Sequence, residues 1–282
     1  MTSKYRLLAL ASILPLLSII GVVVWEINGV VRLPRPTDLS PIPVHEFSHE
    51  PWDQLLHRFV DDQGRVAYRE WKGSVDSQAS LDDYLTQAGR VVIESDAYKL
   101  DLLAYWINLY NALTVKGILR EYPTRSILDH VRPIGYHFWK DLKVFADGAY
   151  RSLDDIEHTI LRKMGEPRIH FAIVCASAGC PRLRNEAYVA GRLDEQLVDN
   201  ARHFFGRESN FKVSGDGKTI ELSSLLKWFG KDFGNSDVEM LRRIAPFLPP
   251  EGAKFIESAT KPAIVYLPYD WSLNERPRKS SP

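Results

Sequence analysis

Read for its apolar and polar positions, the chain opens on an uncharged run of about 19 residues, Leu7 to Trp25, preceded by Lys4 and Arg6. That length matches a bilayer core, so the run predicts a transmembrane anchor over 7–25 behind a short cytoplasmic tail over 1–6. A cleaved signal peptide is the rival, but no small-x-small site follows promptly and no lipobox cysteine is present. Pro34, Pro36, Pro41 and Pro43 then crowd a stretch that reads as a stiff spacer over 26–44. The pattern predicts one globular domain over 45–274 and a polar, disordered tail over 275–282.

Within the globular part, apolar residues recur at helical spacing from Trp52 to Val60, from Leu81 behind a Ser80 cap, from Leu193 to Phe205 and from Val238 to Leu248. Asp61 to Gly64 reads as a turn into a short strand at Val66 to Tyr68. Leu102 to Leu119 is apolar nearly all round, which predicts a helix buried at the centre of the domain. Leu142 to Phe145 and Ala149 to Tyr150 flank Asp147-Gly148 as a hairpin, and Ser152 caps a helix over Leu153 to Lys163. A second hairpin joins Phe211–Val213 to Thr219–Leu222, a capped helix starts at Ser223, and Ala263 to Leu267 reads as a strand. The fold class predicted is α+β: a helical N-terminal half whose central buried helix packs on a small, mostly antiparallel sheet, with a single N-terminal transmembrane helix.

Between the helical segments, Ile169 to Val174 is a β-branched and aromatic run ended by Ala-Ser-Ala-Gly and stopped by Pro181, the pattern of a buried strand entering a tight loop. In a strand, His170 and Cys175 would point to opposite faces and lie about 16 Å apart, too far for a nucleophile and its base. His158 and His137 are then the candidate bases for Cys175. Cys175 and Cys180 bracket four residues, which leaves open a local disulfide, two inert buried thiols, or a reactive Cys175. The spacing is a poor zinc signature, and no metal site is expected.

Polar residues set into apolar patterns are the other candidates. Asn108 and Asn111 are three apart on one face of the central helix, and a buried amide without partners costs about 1–3 kcal/mol. Either neighbouring loop backbone satisfies them, or they hold a ligand or orient His170. Glu157 lies over the apolar stripe of its helix and needs a partner, for which Arg168 is a candidate; His158 is four residues from Asp154.

Composition narrows the function. At 282 residues and 45% hydrophobic, the chain can bury a sizeable core, and two cysteines are too few for a disulfide framework. Lys plus Arg equals Asp plus Glu at 36 each, so no positive field exists to attract nucleic acid. No phosphate loop, G-x-S-x-G or H-E-x-x-H is present, and no cofactor is expected.

Three separated blocks carry a resemblance: Trp106 to Thr114, Ser152 to His158, and Arg168 to Pro181 with His170, Cys175, Ser177 and Cys180. Together they resemble the family called domain of unknown function 547, over about residues 68–233 and again near Tyr266 to Asn274. A fainter likeness is to the transglutaminase and papain-like fold, where a buried helix carries the nucleophilic cysteine and a histidine opens a strand. His170 is similar to the latter, but Asn108 and Asn111 stand on the helix where that fold wants cysteine. Three functions remain in play. One is a small-molecule or peptide binding module with a pocket around Asn108, Asn111, Glu157 and His170. Another is a thiol-dependent acyl transferase or amide hydrolase, with Cys175 as nucleophile, His158 as base, Glu157 as orienter and Ser177 at an oxyanion site. The last is a thiol redox protein using Cys175 and Cys180. The anchor predicts a single-pass membrane protein with its domain outside the cytoplasm, on the periplasmic side in a Gram-negative bacterium; the partners expected are the membrane and an unidentified small molecule, peptide or membrane protein.

Overall fold

Apolar residues at helical spacing wind into helices along most of the chain in the computed structural model, which describes residues 29–38, 40–94, 98–132, 135–215, 218–258 and 263–277. After two short strands, β1 (Val31–Arg32) and β2 (Ile42–Pro43), come α1 (Glu50–Phe59), α2 (Tyr68–Gly73) and α3 (Val75–Ala88). Pro51 sits in the first turn of α1, where its missing N–H costs nothing, and the Ser74 hydroxyl accepts from Ser77 N to cap α3. β3 (Val91–Val92) leads to α4 (Lys99–Glu121), then to the single turn α5 (Phe138–Asp141) and the hairpin β4 (Leu142–Ala146) and β5 (Ala149–Ser152). The second half holds α6 (Leu193–Phe205), β6 (Phe211–Val213), β7 (Thr219–Ser223), α7 (Ser224–Phe233), α8 (Asp237–Ile244), α9 (Pro250–Ser258) and β8 (Ala263–Leu267).

With 53% helix and 16% strand the α+β expectation holds, but the single, mostly antiparallel sheet does not. Among the described residues three small sheets form instead: β1-β4-β5, β2-β3 and β6-β7-β8. The hairpins β4–β5 and β6–β7 are antiparallel as their turns require, and distant segments extend them in parallel, β1 on β4 and β8 on β7. Turn chemistry is visible locally, whereas pairing between segments far apart in the chain is not. The predicted strand at Val66 is reduced to isolated bridges with Val60 and Glu275, and Tyr68 already opens α2.

The expected membrane anchor is corrected. Among the described residues no helix is long and apolar enough to cross a membrane, and the run Leu7–Trp25 lies outside them, as does the cytoplasmic tail 1–6. The longest described helix, α4, carries Lys99, Asp101, Lys116, Arg120 and Glu121 and packs in the protein core. A transmembrane helix, a membrane partner and a single-pass location are therefore unsupported and are set aside. The described part of the expected spacer is held to the body, since Val31 pairs with Leu142 and Ile42 with Val91. At the other end, Glu275 accepts from Tyr122 Oη at 2.5 Å and Arg276 N donates to Val66 O.

Two apolar clusters organise the interior. The first surrounds α4, which is buried from Leu103 to Val115, and takes in Trp52, Trp71 and Leu85 from α1–α3 together with Val144 of β4. The second is built by α6, β6–β8 and α7–α9 around Phe171, whose ring meets Phe204, Phe205 and Phe233 at centroid separations of 5.1–5.4 Å. The functional candidates lie where these clusters meet.

Candidate functional site

The run Ile169 to Val174, read as a strand, is not one. Pro167 opens a 3-10 turn, Pro167–Phe171, in which the Glu166 carboxylate accepts from Arg168 N, and an irregular loop follows. A strand needs a ladder partner; here Asn111 of α4 takes that place. Its Nδ2 donates to Ala172 O at 3.0 Å, and its Oδ1 accepts from Val174 N at 3.0 Å. The β-branched side chains are buried against α4 rather than within a sheet, so their strand-like composition is satisfied without strand geometry. Asn108 does the same one turn earlier, donating to Tyr188 O at 2.7 Å and accepting from Tyr188 N at 2.9 Å. The two amides fasten both ends of the 172–188 segment, and neither lines the cavity described next.

The loop is also held from the C-terminal side. Ala176 takes a left-handed φ of +61°, and Ala178 N and Gly179 N donate to Ser272 O and Asp270 O. A Cβ on Gly179 would lie 3.0 Å from the Asp270 backbone, so a larger residue here would push the two segments slightly apart. Cys175 and Cys180 face each other across the turn, Cα to Cα 6.4 Å, and are joined as a disulfide. The Ser177 hydroxyl lies 3.0 Å from Cys175 Sγ and donates to Tyr269 Oη at 3.0 Å, and Tyr269 Oη donates to Cys180 Sγ at 3.1 Å.

The predicted helix over Leu153 to Lys163 is interrupted. Asp155–Ile160 is π-helical and Leu161–Met164 tightens into a 3-10 turn. A π segment widens the turn and changes which residues share a face, and such segments gather at functional sites. Ile156 and Leu161 enter the core while Asp154, Glu157 and His158 are presented together on one wall of a cavity of about 230 Å³. His137, His170, Tyr110 of α4 and both cysteines share that lining, and Trp139, Trp228, Phe229, Tyr269 and Trp271 give it a largely aromatic surface, with Phe229 stacked against His170 and Tyr269 against the sulfurs.

The strand premise had separated His170 from Cys175; in the folded chain both line this one cavity. No hydrogen bond joins them among the described residues. The imidazole is stacked on Phe229, centroids 4.2 Å apart, and its Nε2 lies 2.7 Å from Asp232 Oδ2. Arg162 grips the same carboxylate through Nε at 2.6 Å and Nη2 at 2.8 Å. That guanidinium holds Asp232 down at about 2. With its partner's charge already matched, His170 stays neutral, and burial pushes it down to about 4. Neutral His170 donates from Nε2, which leaves Nδ1 unprotonated, and Nδ1 has no hydrogen-bond partner among the described residues.

Glu157 is buried and has one hydrogen-bond partner, Tyr110 Oη, donating at 3.1 Å to Oε2. Burial raises its carboxyl above the usual range, against the opposing pull of His158, the Tyr110 hydroxyl and Arg162. Arg168, its candidate partner, is committed elsewhere, to Glu166 and Asp194. Burial, reinforced by Glu157, pushes the Tyr110 phenol well up, so it remains a donor. His158 accepts from Arg162 Nη1 at its Nδ1, 3.2 Å, and its Nε2 lies 3.8 Å from Asp154 Oδ1. Glu157 and His158 are not hydrogen-bonded to each other.

Glu157, His158, His170 and Cys175 are thus brought together, Ser177 stands behind the sulfurs, and Asn108 and Asn111 are turned to the loop backbone. Asp232, Arg162, Tyr110 and the aromatic wall were not among the sequence candidates. Asp232 is 62 residues from His170 and carries no local signal; Tyr110 lies between Asn108 and Asn111 on the helix already singled out. Among the described residues no group of three or more His, Cys, Asp or Glu side chains is placed to hold a metal ion.

Residues 97–205 match the family described as protein of unknown function, DUF547, which bears out the resemblance over the stretch that contains α4, the π segment and the cysteine loop. No curated protein and no solved structure matches the chain.

Proposed function

Since residues 97–205 carry a DUF547 region whose family name leaves its activity open, we propose the function from the cavity: a binding site for a small organic ligand. The polar contacts are Glu157, His158 and His170, and the pocket differs from the one expected in that Asn108 and Asn111 serve its frame. One observation carries this reading. Glu157 and His170, both buried and both in the lining, each make one side-chain hydrogen bond, which leaves Oε1 and Nδ1 free for a ligand, and His137 Nδ1 in the same lining is buried without a partner among the described residues. Buried polar atoms are ordinarily paired, so a ligand is the natural partner. At about 230 Å³ the cavity suits something smaller than a drug-sized molecule, for which sites begin near roughly 300 Å³. A fragment library screened by ligand-observed NMR tests it. Saturable binding that is weakened by His170→Gln and by Trp228→Ala is expected; fragments that ignore both substitutions would end the reading.

A second reading is favoured by the position of the sulfurs. Cys175 lines the cavity with His170, whose Asp232-oriented imidazole offers Nδ1 as a base. Opening the disulfide with a dithiol would free Cys175 as a nucleophile for acyl transfer, or leave a dithiol pair for redox exchange. The thiol reading expects iodoacetamide to label Cys175 only after reduction, and Cys175→Ser to abolish any turnover found.

A further inference from the structure

We infer that the ligand of this cavity is a small organic cation whose alkylammonium head sits between the Trp139, Trp228, Tyr269 and Trp271 rings and the Glu157 carboxylate. The inference rests on the binding reading above and adds the chemical class. The four rings form a continuous belt: Tyr269 and Trp271 are 4.6 Å apart between centroids, Trp228 and Tyr269 4.9 Å, Trp228 and Trp271 5.6 Å, and Trp139 and Trp271 6.5 Å. Trp139 and Trp271 also pack against the first core cluster, whereas Trp228 belongs to neither cluster. Trp228 remains 45% exposed at its rim, an apolar surface the core leaves unused.

Charge selects among ligands. The lining includes two carboxylates, Asp154 and Glu157, and no lysine or arginine. Arg162, the cation nearest to Glu157's helical turn, is bound to Asp232 and rests over the Phe229 ring, 5.6 Å from its centroid. An anion entering here would meet carboxylates and the negative faces of indole rings with no counter-charge in the lining. A neutral apolar ligand would fill the belt but leave Glu157 Oε1 without a partner, which is the costly arrangement for a buried polar atom. An alkylammonium head meets both demands, because its charge is attracted to the carboxylate and to the ring quadrupoles while its methyl groups pack against the rings. Three imidazoles share the lining: His158 and His170 are bonded to Arg162 and Asp232, and His137, 5.9 Å from the Trp139 ring between centroids, keeps a buried Nδ1 without a partner among the described residues.

The test is calorimetric titration of the full chain with choline, tetramethylammonium and n-butylammonium, beside 3,3-dimethylbutan-1-ol, the uncharged isostere of choline. At least one of the cations is expected to bind saturably, and choline at least tenfold tighter than its isostere. Glu157→Gln, which keeps an acceptor for Tyr110, is expected to erase that discrimination while leaving isostere affinity within about twofold, and Trp228→Ala to weaken both. Equal affinity for choline and isostere, or no cation binding while neutral or anionic fragments seat in the cavity, overturns this inference and leaves the binding reading intact. If nothing binds in the cavity, both fall together.

Discussion

Two pairs of buried polar side chains, Asn108 with Asn111 and Glu157 with His170, are used in opposite ways. Asn108 and Asn111 each donate once and accept once, all to loop backbone, and they hold irregular chain where a sheet partner would otherwise be needed. Glu157 and His170 each hold one partner, Tyr110 and Asp232, keep one polar atom free of hydrogen bonds among the described residues, and line a cavity rich in aromatic rings. Burial is the same in kind for all four. Saturation of hydrogen bonds separates framework from site, and that property belongs to the folded arrangement.

The largest effect expected from this contrast is on the framework side. Asn111→Ala leaves Ala172 O and Val174 N without partners at about 1–3 kcal/mol each, so unfolding free energy should fall by about 2–5 kcal/mol in urea titration. A loss below about 1 kcal/mol would mean the loop holds its shape unaided. Next in size is the acid limb of stability. His170 titrates near 4 when folded against 6.5 as a free group, so the unfolded chain binds the extra proton between these values. Stability is full above about pH 6.5 and drains away as pH falls toward about 4; His49 and His203, also lowered to about 4 by burial, act in the same direction. His170→Gln should flatten this limb by on the order of 1–3 kcal/mol, read from unfolding titrations at pH 7 and pH 4.5. An unchanged slope would contradict a neutral buried imidazole.

Glu157 works with the opposite sign. Its folded carboxyl is raised, so its contribution is present below about 4.5 and is lost as pH rises above that value. Glu157→Gln removes that loss and keeps a Tyr110 partner, and its stability at pH 7 should match or slightly exceed that of the parent, by up to about 1 kcal/mol. The smallest effect on stability belongs to Trp228→Ala, about 0.5 kcal/mol because the residue is 45% exposed and belongs to neither core cluster, with ligand affinity as its only sizeable readout.

Much of the frame was legible. Residues 102–119 are apolar nearly all round, and a core helix answers that pattern, as α4 does. Asp147-Gly148 marked the β4–β5 turn, and Ser223 the start of α7. The cysteine pair was open between disulfide and free thiols, and the 6.4 Å Cα separation lies within reach of a bridge. Around the site, local patterns misled for a definite reason. The composition of 169–174 favours a strand, but a residue 58 positions before Ile169, Asn111, supplies its hydrogen bonds; the 153–163 pattern is helical, but periodicity does not distinguish an α turn from the π turn that aims Asp154, Glu157 and His158 at one cavity. Asp232, Tyr269 and Trp271 arrive from distant segments, and their meeting with His170 and Cys175 is a property of packing alone.

The central claim is that the cavity's polar groups serve a ligand and the asparagines serve the fold. Glu157→Gln tests it most directly, with affinity for a cavity-binding alkylammonium and unfolding free energy measured on the same preparation. The account predicts at least a tenfold loss of affinity with stability held or raised by up to about 1 kcal/mol. Retained affinity together with a stability loss of several kcal/mol would contradict it.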